Sequence, residues 1–186
     1  MGEPKIRILQ LALLKNLLLA CLSSILLLAG CQKKEEPKVQ APYPSGPVYA
    51  ENEIKLLEDG ARQNPENAVA WTKLGNALMD THRYQEATDA YQKALELDQK
   101  NVDVRVDLGT CFKNIGRFDR AVEEYRKAIT IDPRHVNAHR NLGVVLGFDL
   151  GDKKEAIKEL EESLRLSPYG PGADNARKMI EALKRS

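Results

Sequence analysis

His135 and His139 stand four residues apart, the spacing at which two imidazoles on one helical face can hold a metal ion. Their surroundings do not complete such a site. His135 falls in a turn just after Asp132-Pro133, no glutamate follows it as a general base, and His139 holds a position that elsewhere in the chain carries Trp71 or Arg105. His82 stands alone in another turn. Cys111 takes a helical position equivalent to Ala77 and has no base beside it in the sequence, so it reads as a small buried hydrophobe. No Ser/His/Asp order, phosphate-binding glycine loop or carboxylate pair stands out. The residues therefore predict no catalytic group, no metal, no cofactor and no small-molecule substrate, and argue against an enzyme.

The elements that carry these residues repeat. Trp71, Leu74, Gly75, Ala87, Tyr91 and Ala94 return 34 residues later as Arg105, Leu108, Gly109, Ala121, Tyr125 and Ala128. A third copy follows at His139, Leu142 and Gly143, and continues one residue late at Ala156, Leu160, Ser163 and Pro168. A period of this length denotes a solenoid of stacked helix pairs. Leu74, Leu108 and Leu142, with Leu78, Phe112 and Leu146 four residues on, form the apolar stripe of each first helix. Tyr84 and Phe118 begin second helices, and Asp132-Pro133 and Ser167-Pro168 end them. The three glycines are expected to meet Ala87, Ala121 and Ala156, small residue against small.

This pattern resembles the tetratricopeptide repeat over about residues 50 to 168. The resemblance implies an all-α, right-handed α-solenoid: a capping helix in 50–67, repeats at 68–101, 102–135 and 136–170, and a C-terminal capping helix in 171–186. Ile54, Leu57 and Ala61 line one face of the first cap, which reads as a second helix whose first helix is missing. Ala176, Met179, Ile180 and Leu183 line the last, and such caps shield the open ends of a solenoid. In the third repeat the segment from Gly147 to Glu155 is one residue longer than its counterparts, which either a looser turn or a one-residue helical bulge would absorb.

By the same resemblance, first helices line a concave face that holds a peptide or helix of a partner protein. The expected lining is Thr72, Lys73, Asn76, Met79 and Asp80 in the first repeat, and Val106, Asp107, Thr110, Lys113 and Asn114 in the second. Arg140, Asn141, Val144, Gly147 and Phe148 follow in the third. Chaperone-binding repeats clamp a C-terminal carboxylate with Lys, Asn, Asn, Lys and Arg; here those positions read Thr72, Asn76, Asp107, Asn137 and Asn141. Only Asn76 agrees, so that ligand is not expected.

Upstream, Lys5, Arg7 and Lys15 precede an apolar run from Leu17 to Leu28, and Leu28-Ala29-Gly30-Cys31 closes it. This reads as a secretory signal over residues 1–30, and it resembles a bacterial lipobox. The resemblance implies a diacylglycerol thioether and N-acylation at Cys31, which tether the chain to a membrane. Gln32 rather than Asp favours the outer membrane, on the pattern of enterobacterial lipoproteins. Cys21 leaves with the signal and Cys31 is acylated, so Cys111 has no internal disulfide partner. Residues 31–49, with Pro37, Pro42, Pro44 and Pro47, form a disordered tether.

Removing residues 1–30 takes away Lys5, Arg7, Lys15 and Glu3, so 28 basic and 27 acidic residues become 25 and 26 and the net charge falls from +1 to −1. That balance excludes an electrostatic nucleic-acid surface. The expected protein is thus a lipid-anchored envelope scaffold for protein partners, with some likeness to pilus-assembly pilotins, outer-membrane assembly components and cytochrome c maturation factors. The alternatives are a self-associating structural lipoprotein, homo-oligomeric through its end helices, and an accessory subunit of an envelope enzyme.

Overall fold

The structure, a computed structural model, describes residues 51–185. The expected signal peptide, the lipidated Cys31 and the tether lie outside the described residues. Among them every regular element is helical: α1 (Glu51–Gln63), α2 (Ala68–Asp80), α3 (Tyr84–Leu97), α4 (Val102–Asn114), α5 (Phe118–Ile131), α6 (Val136–Val144), α7 (Lys153–Leu166) and α8 (Ala173–Arg185). A π-helical turn, Val145–Asp149, continues α6. Helix α2 pairs with α3, α4 with α5 and α6 with α7, and the pairs stack through α3 on α4 and α5 on α6. The expected α-solenoid of three pairs, with α1 before them and α8 after, is the observed fold.

Each first helix starts in the same way. Asn67, Asn101 and His135, 34 residues apart, are the N-cap residues of α2, α4 and α6. Asn67 Oδ1 accepts from the Val69 and Ala70 amides at 3.0 and 3.2 Å, Asn101 Oδ1 from Val104 at 3.1 Å, and His135 Nδ1 from Ala138 at 3.1 Å. Each cap satisfies amides that the first turn leaves open. One turn later, Trp71 Nε1 donates to the Pro65 carbonyl at 2.9 Å, the Arg105 guanidinium to Gln99 at 2.9 Å, and His139 Nε2 meets Pro133 at 3.0 Å. Three different N–H donors thus make one bond, each to the carbonyl six residues back.

Arg105 and His139 at this position each meet a glutamate. Arg105 pairs with Glu124 at 2.8 Å, and buried His139 Nδ1 lies 2.6 Å from Glu159. Beside Trp71 the equivalent residue is Ala90, uncharged as the indole requires. Both histidines of the spaced pair are therefore structural, and His135 Nε2 meets Asp103 at 2.9 Å.

The glycines of the first helices seat large side chains, which corrects the expected match to alanine at Gly75 and Gly109, while Gly143 also meets Ala156, whose carbonyl lies 2.9 Å from where its Cβ would stand. A Cβ on Gly75 would lie 2.6 Å from the Tyr91 ring, one on Gly109 2.6 Å from Tyr125, and one on Gly143 2.7 Å from Leu160. Tyr91, Tyr125 and Leu160 are fully buried there. Ala87, Ala121 and Ala156 are buried core residues as well.

The turn inside each pair needs one left-handed residue, supplied by His82 (φ 62°), Gly116 (φ 76°) and Gly151 (φ 78°). In the third pair the extra residue widens the last turn of the first helix, and the Leu150 amide bonds Val145 five residues back at 3.0 Å. Of the two ways to absorb that residue, the helical bulge is the one observed.

Gly109→Ala is expected to lower stability by about 1–3 kcal/mol, because the Tyr125 ring or the helix must move. His82→Gly is expected to raise it by up to about 1 kcal/mol by relieving a left-handed side chain. Thermal melts of both variants beside the parent chain check these signs.

Candidate partner-binding groove

The polar side chains of the groove are built on the seated rings. Held against Gly75, Tyr91 directs its hydroxyl to Asn76 Oδ1 at 2.8 Å, with Met79 Sδ at 3.8 Å. Tyr125, held against Gly109, meets Thr110 Oγ at 3.1 Å. In the third repeat the equivalent pair is Leu160 with Val144, so the ring loses its hydroxyl where the facing residue loses its polar atom. Burial raises the Tyr91 phenol well above its ordinary range and pushes Tyr125 up to about 12, so both stay protonated as donors. Burial pushes the Cys111 thiol up to about 12 as well, which keeps it inert.

From Thr110 the polar network reaches the next repeat. Asn141 Nδ2 donates to Thr110 Oγ at 3.4 Å, and Asn114 donates to the Thr110 carbonyl at 2.8 Å. These groups border a cavity of about 230 Å³ lined by Thr110, Lys113, Tyr125, Arg140, Asn141, Val144, Asn175 and Met179. Five expected groove residues, Thr110, Lys113, Arg140, Asn141 and Val144, are brought together there. Arg140 donates to the Pro171 carbonyl at 2.9 Å, on the side where it also meets Gly172.

The other expected residues divide. Lys73, Asp80, Asn114 and Phe148 are exposed, and Thr72, Asn76, Met79 and Asp107 are half-buried. Thr72 uses its hydroxyl on the Ala68 carbonyl of its own helix, at 2.9 Å. Two residues do not lie in the groove. Val106 is buried in the core at 5% exposure. Gly147 faces Ala156 and Leu183, each 2.9 Å from where its Cβ would stand. It lies inside the wide turn Val145–Asp149, where the helix departs from the geometry of the first two repeats.

Asn175 and Met179, both on α8, were not among the expected lining residues, nor was Tyr125. Helix α8 packs on α7 as each first helix packs on the second helix before it. One further step of the repeat places α8 in the row of first helices and was the available signal.

Asp107 sits half-buried in α4, with Asp103 and Asp80 nearby. Burial first, and the neighbouring carboxylates second, push its carboxyl up to about 6. A second cavity, about 300 Å³ between α1, α2 and α3, has an apolar floor of Ile54, Leu74 and Leu78. Its rim cations Arg62, Arg83 and Lys93 are ion-paired to Glu58, Glu86 and Glu96, so it offers less to a charged ligand than the groove. No group of three His, Cys, Asp or Glu residues is placed to hold a metal among the described residues. No helix among them is long and apolar enough to cross a membrane.

Four family models match. Three described as tetratricopeptide repeat cover residues 68–101, 90–123 and 137–169, and one described as TPR repeat covers 111–147. The chain carries tetratricopeptide repeats. It is 29% identical over 118 residues to the formate-dependent nitrite reductase complex subunit NrfG of Escherichia coli O157:H7, covering 59% of this chain and 58% of that one. Among solved structures, MamA superposes with a TM-score of 0.66 at 23% identity, over 71% of this chain and 70% of that chain, a likeness of fold. The first tetratricopeptide domain of Spaghetti (RPAP3), bound to the HSP90 peptide SRMEEVD, gives 0.58 at 26% identity, over 63% and 93%.

The folded Asp107 carboxyl keeps its proton to about 6, the unfolded one only to about 4. Across that window the folded state binds more proton, so this residue lowers stability as pH rises and the loss persists above pH 6. Asp107→Asn is expected to be more stable than the parent at pH 7.5, by on the order of 1 kcal/mol after solvent screening. The difference should vanish near pH 4, as paired thermal melts would read.

Proposed function

We propose that this chain is a non-catalytic interaction scaffold, lipid-anchored at Cys31 in the bacterial envelope, which holds a peptide or helix of a partner protein along the row of first helices. The observation that carries the reading is the cavity that gathers Lys113, Arg140, Asn141 and Asn175 from three of those helices. Two likenesses support it. RPAP3 repeats hold a peptide, and NrfG is a subunit of a complex. Assembly of an envelope complex is the setting in which a tethered scaffold of this kind works. The outer membrane is the site favoured by Gln32.

One observation favours a second reading, self-association. Leu56 and Val69 are 72% and 61% exposed where α1 meets α2, and they line a further shallow pocket. Helix α8 instead turns Asp174, Arg177, Lys178 and Glu181 to solvent.

Photo-crosslinking in the native cell separates the readings. A reactive residue at Asp80, Lys113 or Asn175 should trap one envelope protein that the same residue at Glu123, exposed on α5, does not. Copies of the chain itself trapped from position 56 or 69, with nothing from the groove, would leave self-association. For the anchor, Cys31→Ala should move the protein out of the membrane fraction and abolish palmitate labelling; retention of both would refute lipidation at Cys31.

A further inference from the structure

The groove changes charge along its length. Toward α2 and α4 it carries Asp80 and Asp107, whose carboxylates repel one another, together with Lys73. At the α8 end the cavity lining holds two cations and no carboxylate. Lys113, half-buried at the end of α4, makes no hydrogen bond or ion pair among the described residues. Arg140 is fixed through one guanidinium nitrogen to the Pro171 carbonyl, and its other nitrogens are without a partner among the described residues. An arginine braced in this way is preorganised to donate to an incoming oxyanion. Asn175 adds an amide, and Val144 and Met179 add apolar wall.

We infer that this end of the groove is a subsite for an acidic side chain of the bound peptide, its carboxylate between Lys113 and Arg140 and its methylenes against Val144 and Met179. The inference rests on the groove reading above. A cavity of about 230 Å³ has room for one side chain and not for a folded element. The carboxylates of Asp80 and Asp107 disfavour a second acid on the side toward α2. Neither Lys113 nor Arg140 stands at a position of the chaperone-type carboxylate clamp.

The test uses the full chain in detergent and a scanning library of peptides with acetylated and amidated ends. One position is fixed as Glu, Gln or Lys and the others are mixed. The parent should bind the Glu series roughly tenfold more tightly than the Gln series. Lys113→Glu should reverse the order toward Lys, while Lys158→Glu, exposed on α7 and outside the row of first helices, should leave it unchanged. Equal binding of the Glu and Gln series, or a Glu preference that survives Lys113→Glu, would overturn the subsite alone. So would binding confined to a matched series with free C-terminal carboxylates. If no series binds, the groove reading fails and the subsite with it. Circular dichroism melts of Lys113→Glu matching the parent would show that any loss is not one of folding.

Discussion

The seat of a large side chain on a bare glycine is the contact on which this structure depends. Where Gly75 meets Tyr91 and Gly109 meets Tyr125, a Cβ would come within 2.6 Å of the ring, so the two helices are as close as a buried phenol permits. That contact does two things at once. It sets the spacing within each pair, and it points the hydroxyl out of the core toward the next polar residue, Asn76 or Thr110. The groove is thus a by-product of core packing: its amides and hydroxyls are placed by rings that dispersion forces hold rigid. Where the ring is lost, at Leu160, the groove residue becomes Val144 and no buried polar atom is stranded.

The same economy explains why residues that look like chemistry are not. Trp71, Arg105 and His139 share only an N–H in one place, and the carbonyls of Pro65, Gln99 and Pro133 accept it. Indole needs no counter-charge, whereas the guanidinium and imidazole are met by Glu124 and Glu159. His135 does as an N-cap what Asn67 and Asn101 do. An i, i+4 pair of histidines at this point of the repeat follows from capping and latching, and both rings have their nitrogens engaged.

Most of the fold was legible because period and helix punctuation are local properties. The eight helices, the buried Cys111 and the structural use of His139 followed from register alone. The choice between a loose turn and a bulge did not, since it depends on whether one wide turn or a longer loop better packs Gly147 against Ala156 and Leu183. Gly147 lies inside that wide turn and faces Ala156 and Leu183 rather than the groove. Val106 was misplaced for a related reason: position within a helix gives a face, but only the stacked neighbour decides whether the face is covered. Asn175 and Met179 belong to a helix with no motif of its own, visible only as the next step of a ladder. For residues 1–50 the chemistry of Cys31 rests on the sequence.

The central claim is that a partner lies along the row of first helices. Hydrogen exchange of the full chain, with and without a partner identified by crosslinking, tests this most directly. Binding there should slow exchange in α2, α4, α6 and α8 and leave the outer faces of α3, α5 and α7 unchanged. Protection confined to α1, or to α3, α5 and α7, would contradict it and place the partner on the other side of the solenoid.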